Sequence, residues 1–142
     1  MTAEQLFSLA STIVLPCWLL LIFFPKWRWT QLICATAAPL VLACLYATLL
    51  VSKFGESHGG FDSLSQVKLL FEDPWLLLAG WIHYLAFDLC LGAWESRDAR
   101  KLGIPHYGVI ACLALTFLVG PVGFALYCLL RFGVKKTWEP AA

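Results

Sequence analysis

Four apolar stretches, each of about 20 residues, constrain the fold of this chain more than any other feature. They run over residues 5–24, 30–52, 74–94 and 107–130, and the only Asp, Glu, Lys or Arg among them is Asp88. A helix of about 20 residues, rising about 1.5 Å per residue, crosses the ~30 Å hydrocarbon core of a bilayer. Because backbone groups in lipid must be hydrogen-bonded internally, these stretches are predicted to be helices rather than isolated strands.

The composition agrees with a lipid environment, since 61% of the residues are hydrophobic and only 13% are charged. Soluble domains carry about 25% charged residues. We therefore predict an all-α fold, an integral membrane four-helix bundle that forms a single domain over residues 1–142. The first stretch lacks the basic flank and the cleavage site of a signal peptide, and no plastid leader is visible, which favours a bacterial inner membrane.

The longest connection, residues 53–73, is amphipathic and separates the second and third predicted helices. Glycines interrupt its first half, after which Asp62 or Ser63 can cap a short helix with Leu64, Val67 and Phe71 at helical spacing. We expect this short helix to lie in the membrane interface. It acts either as a lid over a cavity or as a plain surface linker.

Prolines interrupt three of the four predicted spans. Each one removes a backbone donor and leaves the carbonyl four residues earlier without its helical partner. These breaks predict kinks and a widened interior; the prolines are Pro16, Pro39 and Pro121, and the freed carbonyls are those of Thr12, Ala35 and Phe117. If the four stretches are straight spans, five Lys and Arg residues lie on each side of the membrane, so the positive-inside rule does not fix the orientation. We expect both termini to lie outside the cytoplasm.

The third predicted helix carries a polar face. At 100° per residue, one side presents five residues: Trp81, Tyr84, Asp88, Gly92 and Glu95. His83 lies about 140° away from Asp88 around the helix. A ligand or another helix is therefore needed to connect the two. An acid inside a membrane costs roughly 2.5 to 3.5 kcal/mol and usually marks function or a firm pairing.

A structural role for Asp88 is the alternative, with Tyr84, Thr36, Thr116 or an arginine of the following loop as its partner.

The sequence contains no nucleic-acid motif. A metal site made of His83, Asp88 and His106 would match no known ligand spacing, so no metal and no cofactor are expected.

Several segments resemble the plant abscisic-acid-deficient-four family, which is implicated in neoxanthin formation. They are WIHYLAFDLCLGAW, the DAR and GIPH of the next loop, LTFLVGPVGFALY, and a weaker SL, V, LF, DP pattern beginning at Ser63. The resemblance implies a four-span membrane protein with a carotenoid or other isoprenoid ligand. It further implies a cofactor-free isomerisation in which an acid protonates an epoxide and a base removes a proton from the polyene, giving an allene.

On that chemistry, Asp88, His83 and Tyr84 are the predicted catalytic residues. Ligand contacts are predicted at Trp81, Phe87, Trp94, Thr116, Pro121 and His106. A second hypothesis is a non-catalytic pigment- or lipid-binding protein that assembles with a membrane partner or with copies of itself. A small transporter is the weakest alternative, because no inverted repeat is visible.

Overall fold

The structure, a computed structural model, describes residues 1–136 and is helical there, without strands. We number its helices α1 to α5, a scheme in which α2 includes a short non-α segment. Their bounds are α1 Ala3–Phe23, α2 Thr30–Lys53, α3 Leu64–Glu72, α4 Pro74–Leu102 and α5 His106–Lys135. All except α3 are long and apolar enough to cross a membrane, by length and composition. The predicted all-α membrane fold, with an extra short helix between the second and third long ones, is confirmed.

Local sequence signals set the helix starts. Thr2 and Gln5 form a reciprocal capping box at α1, and the Ser63 side chain accepts from the backbone N–H of Gln66 at the start of α3. Asp73 caps α4 by accepting from two backbone N–H groups, ahead of Pro74. Of the two caps predicted for the interfacial helix, Ser63 is therefore the one used.

The prolines of α1 and α2 are accommodated within continuous helices. In α2 the segment Ile33–Ala37 forms a π-helical turn immediately before Pro39. Such a turn changes the hydrogen-bond register where proline has removed a donor. The predicted break is thus absorbed locally, and α2 continues to Lys53.

The proline of α5 has a larger effect, because the helix folds back on itself. Val119 and Gly120 have non-helical backbone angles. Beyond them Gly123 packs directly on Thr116, and Gly108 faces Leu130 at ordinary contact distance. In a straight helix Gly108 and Leu130 would be about 33 Å apart. Helix α5 is therefore a hairpin with an inbound arm, residues 106–118, and a return arm, residues 121–135.

The hairpin changes the path of the chain through the bundle. Each arm is roughly 20 Å long, shorter than a ~30 Å hydrocarbon core. Both ends of α5 therefore lie at one end of the bundle, which we call the hairpin end, together with residues 24–29 and 103–105. The N-terminus and α3 lie at the opposite end, the α3 end. Lys135 and Lys136 therefore lie at the hairpin end and not at the α3 end, because a single straight span over residues 107–130 does not form. The side of the membrane that each end faces stays a prediction.

Helix α4 is the central element. Half of its most apolar segment is buried inside the protein, against 28% for α1 and 22% for α2. It packs against α1, α2, α3 and α5. The polar face predicted for this helix consequently meets protein along most of its length.

Candidate functional site

The tip of the hairpin, residues 119 and 120 between its two arms, meets the polar face of α4 near Tyr84 and Asp88. The tip is the extreme of the hairpin that lies farthest from the hairpin end. The Tyr84 hydroxyl donates to the Phe117 carbonyl at 2.9 Å. Phe117 is the residue whose carbonyl Pro121 deprives of its helical partner, so a side chain of α4 satisfies the exposed acceptor. This bond anchors the tip of the hairpin to the centre of the bundle.

Asp88 lies one helical turn beyond Tyr84 and directly against Gly120. A methyl group on Gly120 would lie 2.5 Å from one carboxylate oxygen of Asp88, so a larger residue there would displace the carboxylate. The Oδ2 atom of Asp88 is shielded from solvent and has no hydrogen-bond partner among the described residues. Because buried polar atoms are normally paired, this oxygen has capacity left for a ligand or a water molecule.

Two turns further along α4, Glu95 lies between the helix and the inbound arm. It is fully buried, and one of its carboxylate oxygens accepts from the Thr116 hydroxyl at 2.9 Å. The other oxygen, and the hydroxyl of neighbouring Ser96, have no partner within the described part of the chain. Thr116, predicted as a ligand contact, therefore bonds a carboxylate of the protein.

A buried ion pair joins α4 to the return arm. Asp98 Oδ2 accepts from Arg131 Nε at 2.8 Å and from the Tyr127 hydroxyl at 2.5 Å, and all three side chains are buried. With a third helix that ends at residue 94 and a straight fourth span over 107–130, Asp98 would lie in the loop between them and Arg131 at the opposite side of the membrane. The available signal was the position of Asp98, three residues after Glu95 on the same face of the helix.

An apolar groove, the α1 groove, leads along α1 and α4 toward the hairpin tip. It consists of two cavities of about 270 Å³ each that meet at Trp81. The Trp81 ring lies 5.1 Å from that of Phe7, between centroids, and its Nε1 donates to the Ser11 hydroxyl at 3.0 Å. The inner cavity ends at Tyr84, Phe117 and Leu118. Trp81 and Tyr84 line this groove, whereas Asp88, one turn beyond Tyr84, lies against Gly120 of the hairpin.

His83 and Phe87 lie on the other side of α4, facing α2. The His83 ring is exposed and lies 5.6 Å from the Tyr46 ring and 4.6 Å from that of Phe87, measured between centroids. Both residues line what we call the α2 groove, two cavities of about 200 and 300 Å³ along α2 and α4. The structure does not bring His83 to Asp88, and its catalytic role stays a prediction.

The remaining predicted contacts are dispersed. Trp94 packs on the return arm, with its ring 5.4 Å from that of Tyr127. Pro121 begins the return arm, after the break at Val119 and Gly120. A ring nitrogen of His106 lies 2.8 Å from the Ile22 carbonyl and ties the start of α5 to the end of α1.

A metal centre finds no support in this geometry. Within residues 1–136, no three His, Cys, Asp or Glu side chains are grouped closely enough to hold an ion. The chemically distinctive feature is instead the pairing of a helix break with buried carboxyl groups.

No curated protein and no solved structure matches the chain. The family model described as ABA DEFICIENT 4-like matches residues 5–127, which include most of α1, all of α2, α3 and α4, and the hairpin tip. A match over most of the sequence establishes that the chain belongs to the ABA DEFICIENT 4-like family.

Proposed function

We propose that this protein binds a carotenoid or xanthophyll in the α1 groove and isomerises its epoxide end group with Asp88 as the acid. Family membership supports the ligand class, since the family is linked to carotenoid and neoxanthin metabolism. The observation that carries the proposal is the Asp88 carboxyl, which has an unpaired oxygen and lies one helical turn beyond Tyr84, a residue that lines the inner cavity of the groove.

The α1 groove suits a long apolar molecule with a polar end. Its lining runs from Ala3 and Pro74 at the α3 end to Tyr84 and Leu118 near the middle of the bundle. The polyene would lie against Phe7 and Trp81, whose ring faces stabilise positive charge. The end ring would then reach the hairpin tip, where Asp88 lies.

A single carboxyl group balances the proposed reaction. Protonated Asp88 gives its proton to the epoxide oxygen as a carbon–oxygen bond breaks, and the oxygen becomes a hydroxyl. The carboxylate then takes a proton from the adjacent polyene carbon, and the electron pair of that C–H bond forms the allene. The protons given and taken are equal, no electrons are exchanged, and His83 is not required.

A non-catalytic pigment-binding role is the second candidate. It is favoured by the fact that Tyr84 and Trp81 already bond to protein groups, Phe117 and Ser11, so part of the polar face holds helices together. In that role, Asp88 would accept a hydroxyl of the ligand without proton transfer.

The test is pigment analysis in bacterial cells that make violaxanthin and express the protein in their inner membrane. The wild type is expected to yield an allenic product, and Asp88→Asn is expected to abolish it while pigment still copurifies. Asp62→Asn, the same change at an exposed residue before α3, is the matched control and should retain activity. Unchanged conversion by a folded Asp88→Asn protein would refute the role of Asp88.

If the wild type binds pigment without converting it, the second candidate is correct. A protein that neither converts nor retains pigment, although folded, would exclude both. His83→Ala distinguishes a reaction in which Asp88 acts alone from one in which Asp88 and His83 act as an acid–base pair. If Asp88 acts alone, the variant converts the pigment normally.

A further inference from the structure

The hairpin gathers basic residues at one end of the bundle. In the path described above, Lys135 and Lys136 return to the end that already carries the loop cations. Seven Lys and Arg residues are exposed there: Lys26, Arg28, Arg97, Arg100, Lys101, Lys135 and Lys136. At the α3 end, the described basic residues are only Lys53 and Lys68. The even division expected for four straight spans becomes seven exposed cations against two.

The acidic residues that the structure describes leave this charge in excess. Of the described residues at or near the hairpin end, the acids are Glu95 and Asp98, and both are buried against α5. Asp98 is paired with Arg131, so neither acid faces the surface. The described acids Glu4, Asp62 and Glu72 belong to the α3 end and are exposed or nearly so. Among residues 1–136, the exposed charged side chains of the hairpin end are therefore all basic.

The same end has the features of a membrane interface. Trp27 and Trp29 are exposed next to Lys26 and Arg28, and Arg28 lies over the Trp29 ring at 4.6 Å. Tryptophan is enriched at the level of lipid headgroups, and basic clusters beside membrane helices attract anionic lipids. The cations lie in the loop after α1 and near the ends of α4 and α5, at the level where headgroups surround a membrane protein.

We propose that the hairpin end is a binding surface for the phosphate groups of anionic lipids, and that it faces the cytoplasmic leaflet. The positive-inside bias and the interfacial tryptophans point to the same placement. Bound headgroups would neutralise these seven cations and hold both arms of the hairpin at a fixed depth in the membrane. The α1 groove then begins at the opposite, external side of the membrane.

The experiment is native mass spectrometry of the purified protein with phosphatidylglycerol and phosphatidylcholine of the same chain length. The wild type should retain phosphatidylglycerol preferentially. The fourfold variant Lys26→Gln, Arg97→Gln, Lys135→Gln, Lys136→Gln should lose more than about tenfold in that preference, since each basic residue near an anionic surface contributes about fivefold. The preference should also decline with added salt.

The control variant Lys53→Gln, Lys68→Gln removes both described cations from the α3 end and should keep the preference. Helical content and melting temperature establish that both variants are folded. Equal retention of the two lipids by the wild type, or an equal loss in the control variant, would overturn the proposal.

Discussion

The two sides of α4 are held by different kinds of contact. Toward α5 its side chains are joined by hydrogen bonds and a buried ion pair, from Tyr84 at the hairpin tip to Asp98 near the hairpin end. Toward α2 it presents the α2 groove, where His83 and Phe87 contact rings and aliphatic side chains. One side of α4 is thus joined to α5 by polar contacts, and the other side lines an apolar groove.

The difference follows from the backbone of the partner helix. Helix α2 absorbs its proline within a π-helical turn and continues as a helix. Helix α5 breaks at Val119 and Gly120, and non-helical backbone at membrane depth must be buried and supplied with partners. Tyr84 provides such a partner at the break, and Glu95 and Asp98 bond side chains further along the two arms of α5.

The largest expected effect concerns the ion pair of the return arm. Arg131→Met leaves Asp98 buried without its cation, which should destabilise the protein by about 3–5 kcal/mol. The double variant Asp98→Leu, Arg131→Met should recover much of that loss. Thermal unfolding in detergent measures both, with exposed Arg97→Met as the control. A single variant as stable as the wild type would show that the pair does not hold the hairpin.

The next effect tests the closeness of the two arms. An alanine side chain at Gly123 would overlap the backbone of Thr116, which cannot rotate away, so Gly123→Ala should cost about 1–3 kcal/mol. Gly133→Ala is the matched control in the same arm, because nothing lies within 4 Å of its added methyl group. That change should be neutral or stabilising. Equal effects of the two substitutions in a melting experiment would argue against the hairpin.

The two grooves are distinguished by pigment retention. Trp81→Ala should weaken carotenoid binding by about tenfold, since an aromatic side chain that contacts a ligand contributes more than 1 kcal/mol. Phe87→Ala, which alters the α2 groove, should leave retention close to the wild-type value. Absorbance of the copurified pigment measures both variants. The reverse pattern would move the ligand to the α2 groove.

The smallest effect concerns one hydroxyl group. Tyr84→Phe removes the donor to the Phe117 carbonyl and should destabilise the protein by about 1 kcal/mol. Tyr107→Phe removes a hydroxyl from an exposed side chain and serves as the control. If chemical unfolding finds no difference between them, the hairpin tip does not depend on this bond.

Local signals in the sequence were sufficient to predict where the helices begin and which residues form the polar face of α4. Long apolar stretches, the cap at Ser63 and the 100° spacing of Tyr84, Asp88 and Glu95 depend only on near neighbours along the chain. The predicted end of the third helix at residue 94 was too early, since α4 continues to Leu102. Hydropathy does not reveal that Glu95 and Asp98 are buried against another helix.

Contacts between distant residues were not predictable in the same way. Pro121 within GPVG indicated a break in the fourth helix, but the angle of that break depends on how Gly123 packs on Thr116. The pairing of Asp98 with Arg131 joins residues 33 positions apart. A straight fourth helix would place these two residues on opposite sides of the membrane. The buried polar contacts between α4 and α5 were missed for that reason.

Labelling of single cysteines with a membrane-impermeant maleimide tests the hairpin most directly. Each cysteine is placed in a variant whose native cysteines are replaced, with Trp27→Cys marking the hairpin end and Ser65→Cys marking the α3 end. We predict that Lys136→Cys is labelled from the same side of the membrane as Trp27→Cys. Labelling of Lys136→Cys together with Ser65→Cys would contradict the hairpin, because a straight fourth span would carry that residue to the α3 end.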